Sequence, residues 1–174
     1  MAKACSRRSL QTRLRKLGEN EHIAGIILAQ AGLDRLGFDC VSGSLEFAPW
    51  RFHLHSLRDE LLPAIGQGAI ALQSRADRAE VTAILQHIDH AATHLAIRAE
   101  RELQRLLAGD CALPVGVRTA LAGDRLRMEA ILFPPDESAP PSRASAEGRS
   151  ATPEEVARQV FAQLAPERAA TPTL

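Results

Sequence analysis

The strongest constraint on the fold is a change of hydrophobic period partway along the chain. Over residues 89–108, Leu95, Ala99, Leu103, Leu106 and Leu107 recur at helical spacing, and Gly109 stands where such a helix would end. Beyond Cys111 the period becomes two: VGVRTAL, then Gly123-Asp124, then RLRMEAILF, with Leu126, Met128 and Ala130 on one face. Thr152-Pro153-Glu154-Glu155 then marks a new helix start, with a threonine cap, proline at the first position and an acid three residues on. A third short strand is expected near residues 143–149, in a stretch from 134 to 151 rich in Pro, Ser and Ala. Residues 88–174 therefore read as an α+β domain: a long helix, a small antiparallel sheet of about three strands and a C-terminal helix.

The first part reads differently. Residues 6–19 form a basic helix with Leu10, Leu14 and Leu17 at helical spacing. The apolar run 23–29, bounded by Gly32, reads as a buried strand of a parallel sheet, and AGLDRLG as a short helix closed by Gly37. Residues 38–58 read as an irregular loop anchored by Phe47, Trp50 and Phe52. A turn at Gly66 and Gly68 leads to a strand over 69–73, and Asp77 is placed to cap a helix running to His87. Residues 1–87 thus read as an incomplete α/β region.

The 174 residues are 45% apolar but only 3% aromatic, so Leu, Ile, Val and Ala must fill the core. A formal net charge of zero argues against a globally basic nucleic-acid binder, although the first twenty residues hold six cations and one acid. No apolar run reaches the roughly 18 residues that span a membrane, and no apolar stretch follows the basic N-terminus as a secretory signal requires. Three widely spaced cysteines without CxxC fit a reducing, cytoplasmic setting.

Four groups have side chains suited to chemistry. Cys111 follows a helix C-terminus, where the dipole does not activate a thiol, so it is either inert or a tether for a covalently held group. His87, His90 and His94 share a helix face at a spacing open to zinc, but HExxH is absent. Gly66-Gln67-Gly68 allows close backbone approach to a ligand, without the GxGxxG of a dinucleotide site. Arg7, Arg8, Arg13, Arg35 and Arg75 lie near element ends, and guanidinium forks suit carboxylates.

These groups fall within motifs that resemble the C-terminal half of the porphobilinogen deaminase (hydroxymethylbilane synthase) family. TRLRKL (12–17) with IILAQAGLDRLG (26–37) is similar to its TRLxKL…AIILAxAGLxRLG, LPAIGQGAIALQSR (62–75) to its LPAxGQGAxxIExR, and AERELQRLLAGDCALPVG (99–116) to its AERxxLxxLxGGCxxPxG. The resemblance implies a periplasmic-binding-protein-like half domain for the first region. It also implies a transferase of tetrapyrrole (porphyrin, haem) synthesis that condenses porphobilinogen units on a dipyrromethane cofactor. Cys111 takes the position of the family's thioether cysteine. Arg7 and Arg13 take arginines of RGNVxTR that contact cofactor or substrate, Arg35 a substrate-binding arginine and Gln67 the glutamine of GQG. No metal is implied.

The sequence departs from the pattern at three places. RGNV reads Arg7-Arg8-Ser9-Leu10, IExR reads Leu72-Gln73-Ser74-Arg75, and GGC reads Gly109-Asp110-Cys111, which sets a carboxylate beside the thiol. The family's catalytic aspartate and its GTSSxRR segment lie in an N-terminal part that the resemblance does not reach, so no catalytic residue is assigned. The lone chain is expected to be inactive. Three readings follow: a synthase that acts with a separate N-terminal-half chain or by self-association; a catalytically inactive truncated remnant or partner subunit; and a binder of nucleic acid or acidic partners through the basic N-terminus, the least favoured.

Overall fold

A computed structural model describes residues 9–40, 42–107, 114–134 and 139–166. The chain forms two compact units, Met1–Leu57 and Arg58–Leu174. Packing therefore divides ahead of the boundary at residue 87 read from the sequence, because residues 62–66 seat on elements of the second unit.

In the first unit α1 spans Leu10–Glu19, its N-terminus capped by Ser9, whose Oγ accepts the Thr12 N–H at 3.3 Å. α2 spans Gln30–Arg35 and is closed by Gly37 at φ +77°, a left-handed conformation that suits glycine. The 38–58 segment, expected to be irregular, instead contains a hairpin: β1 (Ser44–Phe47) pairs antiparallel with β2 (Trp50–His53). Its aromatic residues organise it, since the Phe47 and Trp50 rings stack with centroids 6.3 Å apart. Trp50 also fills the space beside Gly18, where a Cβ would overlap the indole. Leu14, Leu33 and Leu45 are buried at the centre of this unit.

The strand expected over 23–29 is not formed. These residues are extended, with Ile26 and Leu28 packed against the cluster and Ile27 63% exposed, but they join no ladder. A parallel strand needs a neighbour on its hydrogen-bonding side. Among the described residues of this unit, the two strands pair with each other. The parallel sheet expected there is accordingly absent from the described residues.

In the second unit, residues 58–78 contain no helix or strand among those described, so the strand expected over 69–73 is also missing. α3 (Ala79–Gln86) has no buried residue. Asp77 does not cap it; the cap position is Arg78, and the Asp77 carboxylate holds the Arg75 guanidinium in a two-point pair. α4 (Ala91–Leu106) starts at His90, whose Nδ1 accepts the Thr93 N–H. β3 (Val115–Ala122), β4 (Arg125–Leu132) and β5 (Ser142–Arg149) form an antiparallel sheet in that order, and α5 spans Pro153–Leu164. The β3–β4 turn has Gly123 at φ +60°. The third strand is longer than expected and lies in the stretch that composition alone would read as loop. Thr152 makes no side-chain capping bond; Pro153 at the first position, with Glu154 and Glu155 in the first turn, accounts for the helix start.

The core of this unit lies between the sheet and the two long helices. Ala99, Leu103 and Leu107 of the α4 stripe meet Val117, Leu126, Met128 and Ala130 of the sheet and Val156, Val160 and Leu164 of α5. Gly148 permits the close approach of α5, since a Cβ there would stand 2.7 Å from Val156 Cγ2. Among the described residues, no helix is long and apolar enough to cross a membrane.

Two ionic groups tie α4 to α5: Arg98 with Glu154 at 2.7 Å, and Glu102 with Arg105 at 2.8 Å and Arg158 at 3.5 Å. The hydrogen bond from Arg105 holds the Glu102 carboxyl below its ordinary range. A carboxyl lowered by folding stabilises the fold above its unfolded pKa of about 4.3, and that stabilisation is lost as pH falls through the folded value. Glu102→Gln is therefore expected to cost about 0.5–1 kcal/mol at pH 7 and close to nothing at pH 3. Urea midpoints of the two chains at both pH values check this; a gap that persists at pH 3 counts against it.

Candidate functional site

The first unit has a cleft of about 550 Å³ lined by Arg13, Lys16, Leu17, Glu19, Asn20, Ile23 and Ile26. The 3.6 period of α1 sets Arg13, Lys16 and Leu17 on one side, and the extended residues after the helix supply the isoleucines. Arg13 is half-buried, and its guanidinium donates to the Ile27 carbonyl at 2.8 Å, which fixes the side chain against the unit. Two cations beside Leu17, Ile23 and Ile26 offer both of the contacts that a ring with carboxylate arms requires.

Arg35 is exposed at the end of α2 and is not among the residues lining this cleft. Arg75, engaged by Asp77, is not an open cation. Arg7, Arg8 and Cys111 lie outside the described residues. Cys40 packs against the core of the first unit, and burial together with the neighbouring Asp34 carboxylate pushes its thiol up, so it is held protonated.

The histidines go separate ways. His87 Nδ1 lies 2.7 Å from the Ala83 carbonyl, His90 caps α4, and His94 faces Asp89 at 3.4 Å. Among the described residues, no group of three His, Cys, Asp or Glu side chains could hold a metal ion.

In the second unit the GQG and AER motifs and the end of the cysteine motif come together. Gly66 and Gly68 adopt φ +69° and +86°, both in the left-handed region. The turn between them leaves the Gln67 side chain exposed. The Gly66 N–H donates to Glu100 Oε2 of α4 at 2.8 Å. The Pro63 carbonyl accepts the Val117 N–H of β3 at 2.7 Å. Leu62 lies so close to Gly116 that a Cβ there would meet Leu62 Cβ and O at 2.9 Å, so only glycine fits. Arg118 of β3 donates to the Arg58 and Leu61 carbonyls, which ties down the start of the same segment. Residues 62–66 therefore rest on α4 and on the start of β3, the two elements that precede and follow Cys111 in the chain.

The sequence pointed to Arg13 and Gln67 and, within its basic first twenty residues, to Lys16, but not to Asn20 in the cleft or to Glu100 and Gly116 around the turn. Glu100 had a readable signal: it stands in register with Leu103 and Leu107 on the apolar face of α4, an acid among buried leucines.

Comparison with known proteins identifies the family of the chain. Residues 4–83 match the family model described as porphobilinogen deaminase, dipyrromethane cofactor binding domain, and residues 94–165 match porphobilinogen deaminase, C-terminal domain. The chain is 40% identical over 131 residues to a porphobilinogen deaminase of Pelotomaculum thermopropionicum, covering 75% of this chain and 38% of that protein. It is 40% identical over 153 residues to one from Desulforudis audaxviator, with 83% and 46% covered. With that of Methylobacillus flagellatus it shares 35% identity over 159 residues, with 91% and 47% covered. The chain thus spans about half the length of these curated relatives or less. Two matched domains of one family, in order along the chain, establish that it belongs to the porphobilinogen deaminase family and carries that family's dipyrromethane cofactor binding domain.

Proposed function

We propose that the chain serves tetrapyrrole synthesis as the part of a hydroxymethylbilane synthase that binds dipyrromethane, with Cys111 as the point of thioether attachment. When bound, the cofactor supplies the primer on which porphobilinogen units are condensed with loss of ammonia. The protein's own residues bind and orient: Arg13 and Arg7 meet cofactor carboxylates, Arg13 and Arg35 those of incoming substrate, and Gln67 approaches the cofactor from its glycine turn. In this reading residues 1–87 belong to a periplasmic-binding-protein-like half and residues 88–174 form the attachment domain, in a cytoplasmic protein.

The observation that carries the reading is the seating of residues 62–66 on both elements that flank Cys111. It holds the Gln67 turn against α4 and β3, the elements between which Cys111 lies in the chain. The state of Cys40 speaks against attachment there, since a packed, protonated sulfur is a poor nucleophile.

A second reading concerns partners. In the second unit Ile70 is 81% exposed and Leu72, Ile84 and Ile88 are each more than half exposed. Exposed apolar side chains of this size suit a covering partner. The favoured occupant is the part of the family's fold that the longer relatives carry and the matched region does not include. Without a partner the chain would then be a binding subunit or an inactive remnant.

Intact-mass measurement after incubation with preuroporphyrinogen tests attachment. One adduct per chain, mapped to the peptide containing Cys111, is the expected result; an unmodified thiol there overturns it. A turnover assay with porphobilinogen is expected to show no product from the lone chain, and activity above background overturns the need for a partner.

A further inference from the structure

Glu100 is the one charged side chain among the buried residues described, with 9% of its surface exposed. A carboxylate removed from water needs donors, and one is the Gly66 backbone N–H at 2.8 Å. We infer that Glu100 is a positioning residue: its carboxylate latches the Gly66–Gly68 turn to α4 and so fixes Gln67 relative to that helix, which precedes Cys111 in the chain. The inference rests on the reading of Cys111 as the attachment point, and it assigns Glu100 no contact with the cofactor.

The latch has the geometry for this role. From Glu100 to Leu107 is seven residues of α4 and its cap, roughly 10 Å along the axis. Helix and cap are held by buried Leu103 and Leu107, so they transmit position with little give. Residue 65 between the latch and Pro63 is Ile65, packed against the same core. On the other flank the Pro63 carbonyl is tied to Val117, and Leu62 abuts Gly116. The turn's own internal bonds, Gln67 N–H to Ala64 O at 3.1 Å and Ala69 N–H to Gly66 O at 3.2 Å, shape it but do not aim it. Of the bonds described, the one that orients its glycine end against α4 is the one to Glu100.

Four variants test this: Glu100→Ala, Glu100→Gln, Gln67→Ala, and Glu100→Ala combined with Gln67→Ala. A glutamine keeps a side-chain oxygen able to accept the Gly66 N–H; an alanine does not. In Glu100→Ala, hydrogen exchange at residues 66–68 is expected to rise about ten- to a hundredfold, the range for losing a hydrogen bond to a charged acceptor, while α4 stays protected. Glu100→Gln is expected to restore most of the protection. The rate of adduct formation at Cys111 is expected to fall in Glu100→Ala, to recover in Glu100→Gln, and to be no lower in the double variant than in Gln67→Ala alone, because Glu100 acts through Gln67. Unchanged exchange at the turn, failure of glutamine to rescue, or additive losses in the double variant would each overturn the assignment. If the parent chain takes up no cofactor, the attachment reading fails by itself, and the exchange measurements still decide whether the latch exists.

Discussion

The Cys111→Ser chain is expected to take up no dipyrromethane under conditions where the parent chain takes up one equivalent. A thioether is a carbon–sulfur bond, and a serine hydroxyl near neutral pH is far too weakly ionised to form the corresponding ether. Cys40→Ser is the control. Cys40 sits against the core of the first unit with its Sγ 3.8 Å from the Phe38 carbonyl, and it has no role in the proposed attachment. Its variant should therefore load like the parent. Intact mass distinguishes the outcomes, and an adduct on Cys111→Ser would show that another thiol carries the group. The effect is all or none, which makes it the largest expected from any single substitution.

The second large effect is structural. Leu103→Ala removes a fully buried side chain from the middle of α4, where it packs between the sheet and α5. Large-to-small changes at such sites cost about 2–5 kcal/mol, because the transfer energy of the lost atoms adds to the cavity left behind. A domain is stable by only about 5–15 kcal/mol in all. The melting transition of the second unit is expected to fall by roughly 10 °C or more, followed by far-ultraviolet circular dichroism. A drop of less than about 2 °C would mean that neighbouring side chains close the cavity, contrary to the dense packing around Leu103.

The second unit was largely legible in the sequence, because its signals are local. The α4 stripe, the Gly123-Asp124 turn and the Pro153 start each depend on residues within a few positions of one another, and each element formed close to its expected place. The two failed strands depend on something distant. The runs 23–29 and 69–73 have the right composition, but a run becomes a strand only when another backbone lies alongside it. The β1–β2 hairpin was missed for the opposite reason. Its ends are set by aromatic packing around Phe47 and Trp50 across Ala48-Pro49, not by a glycine turn signal.

The candidate site divides the same way. Arg13 and Gln67 stand in motifs and Lys16 in the basic first helix, whereas Asn20 enters the cleft only because the extended 23–26 stretch passes beside α1. The role of Gly116 was hidden because it concerns a contact with Leu62, more than fifty residues earlier.

The bond from Pro63 to Val117 has one more consequence. β3 lies at one side of its sheet, and a strand there offers unpaired N–H and C=O groups to any other strand it meets. The stretch before the GQG turn covers part of that border with the chain's own backbone and leaves no space at Gly116 for an intruder. A fragment cut to the matched C-terminal domain, residues 94–165, would lose this cover and present a bare strand border. The turn segment thus also covers part of an otherwise open strand border, and the compact second unit begins at Arg58, well before the matched C-terminal domain.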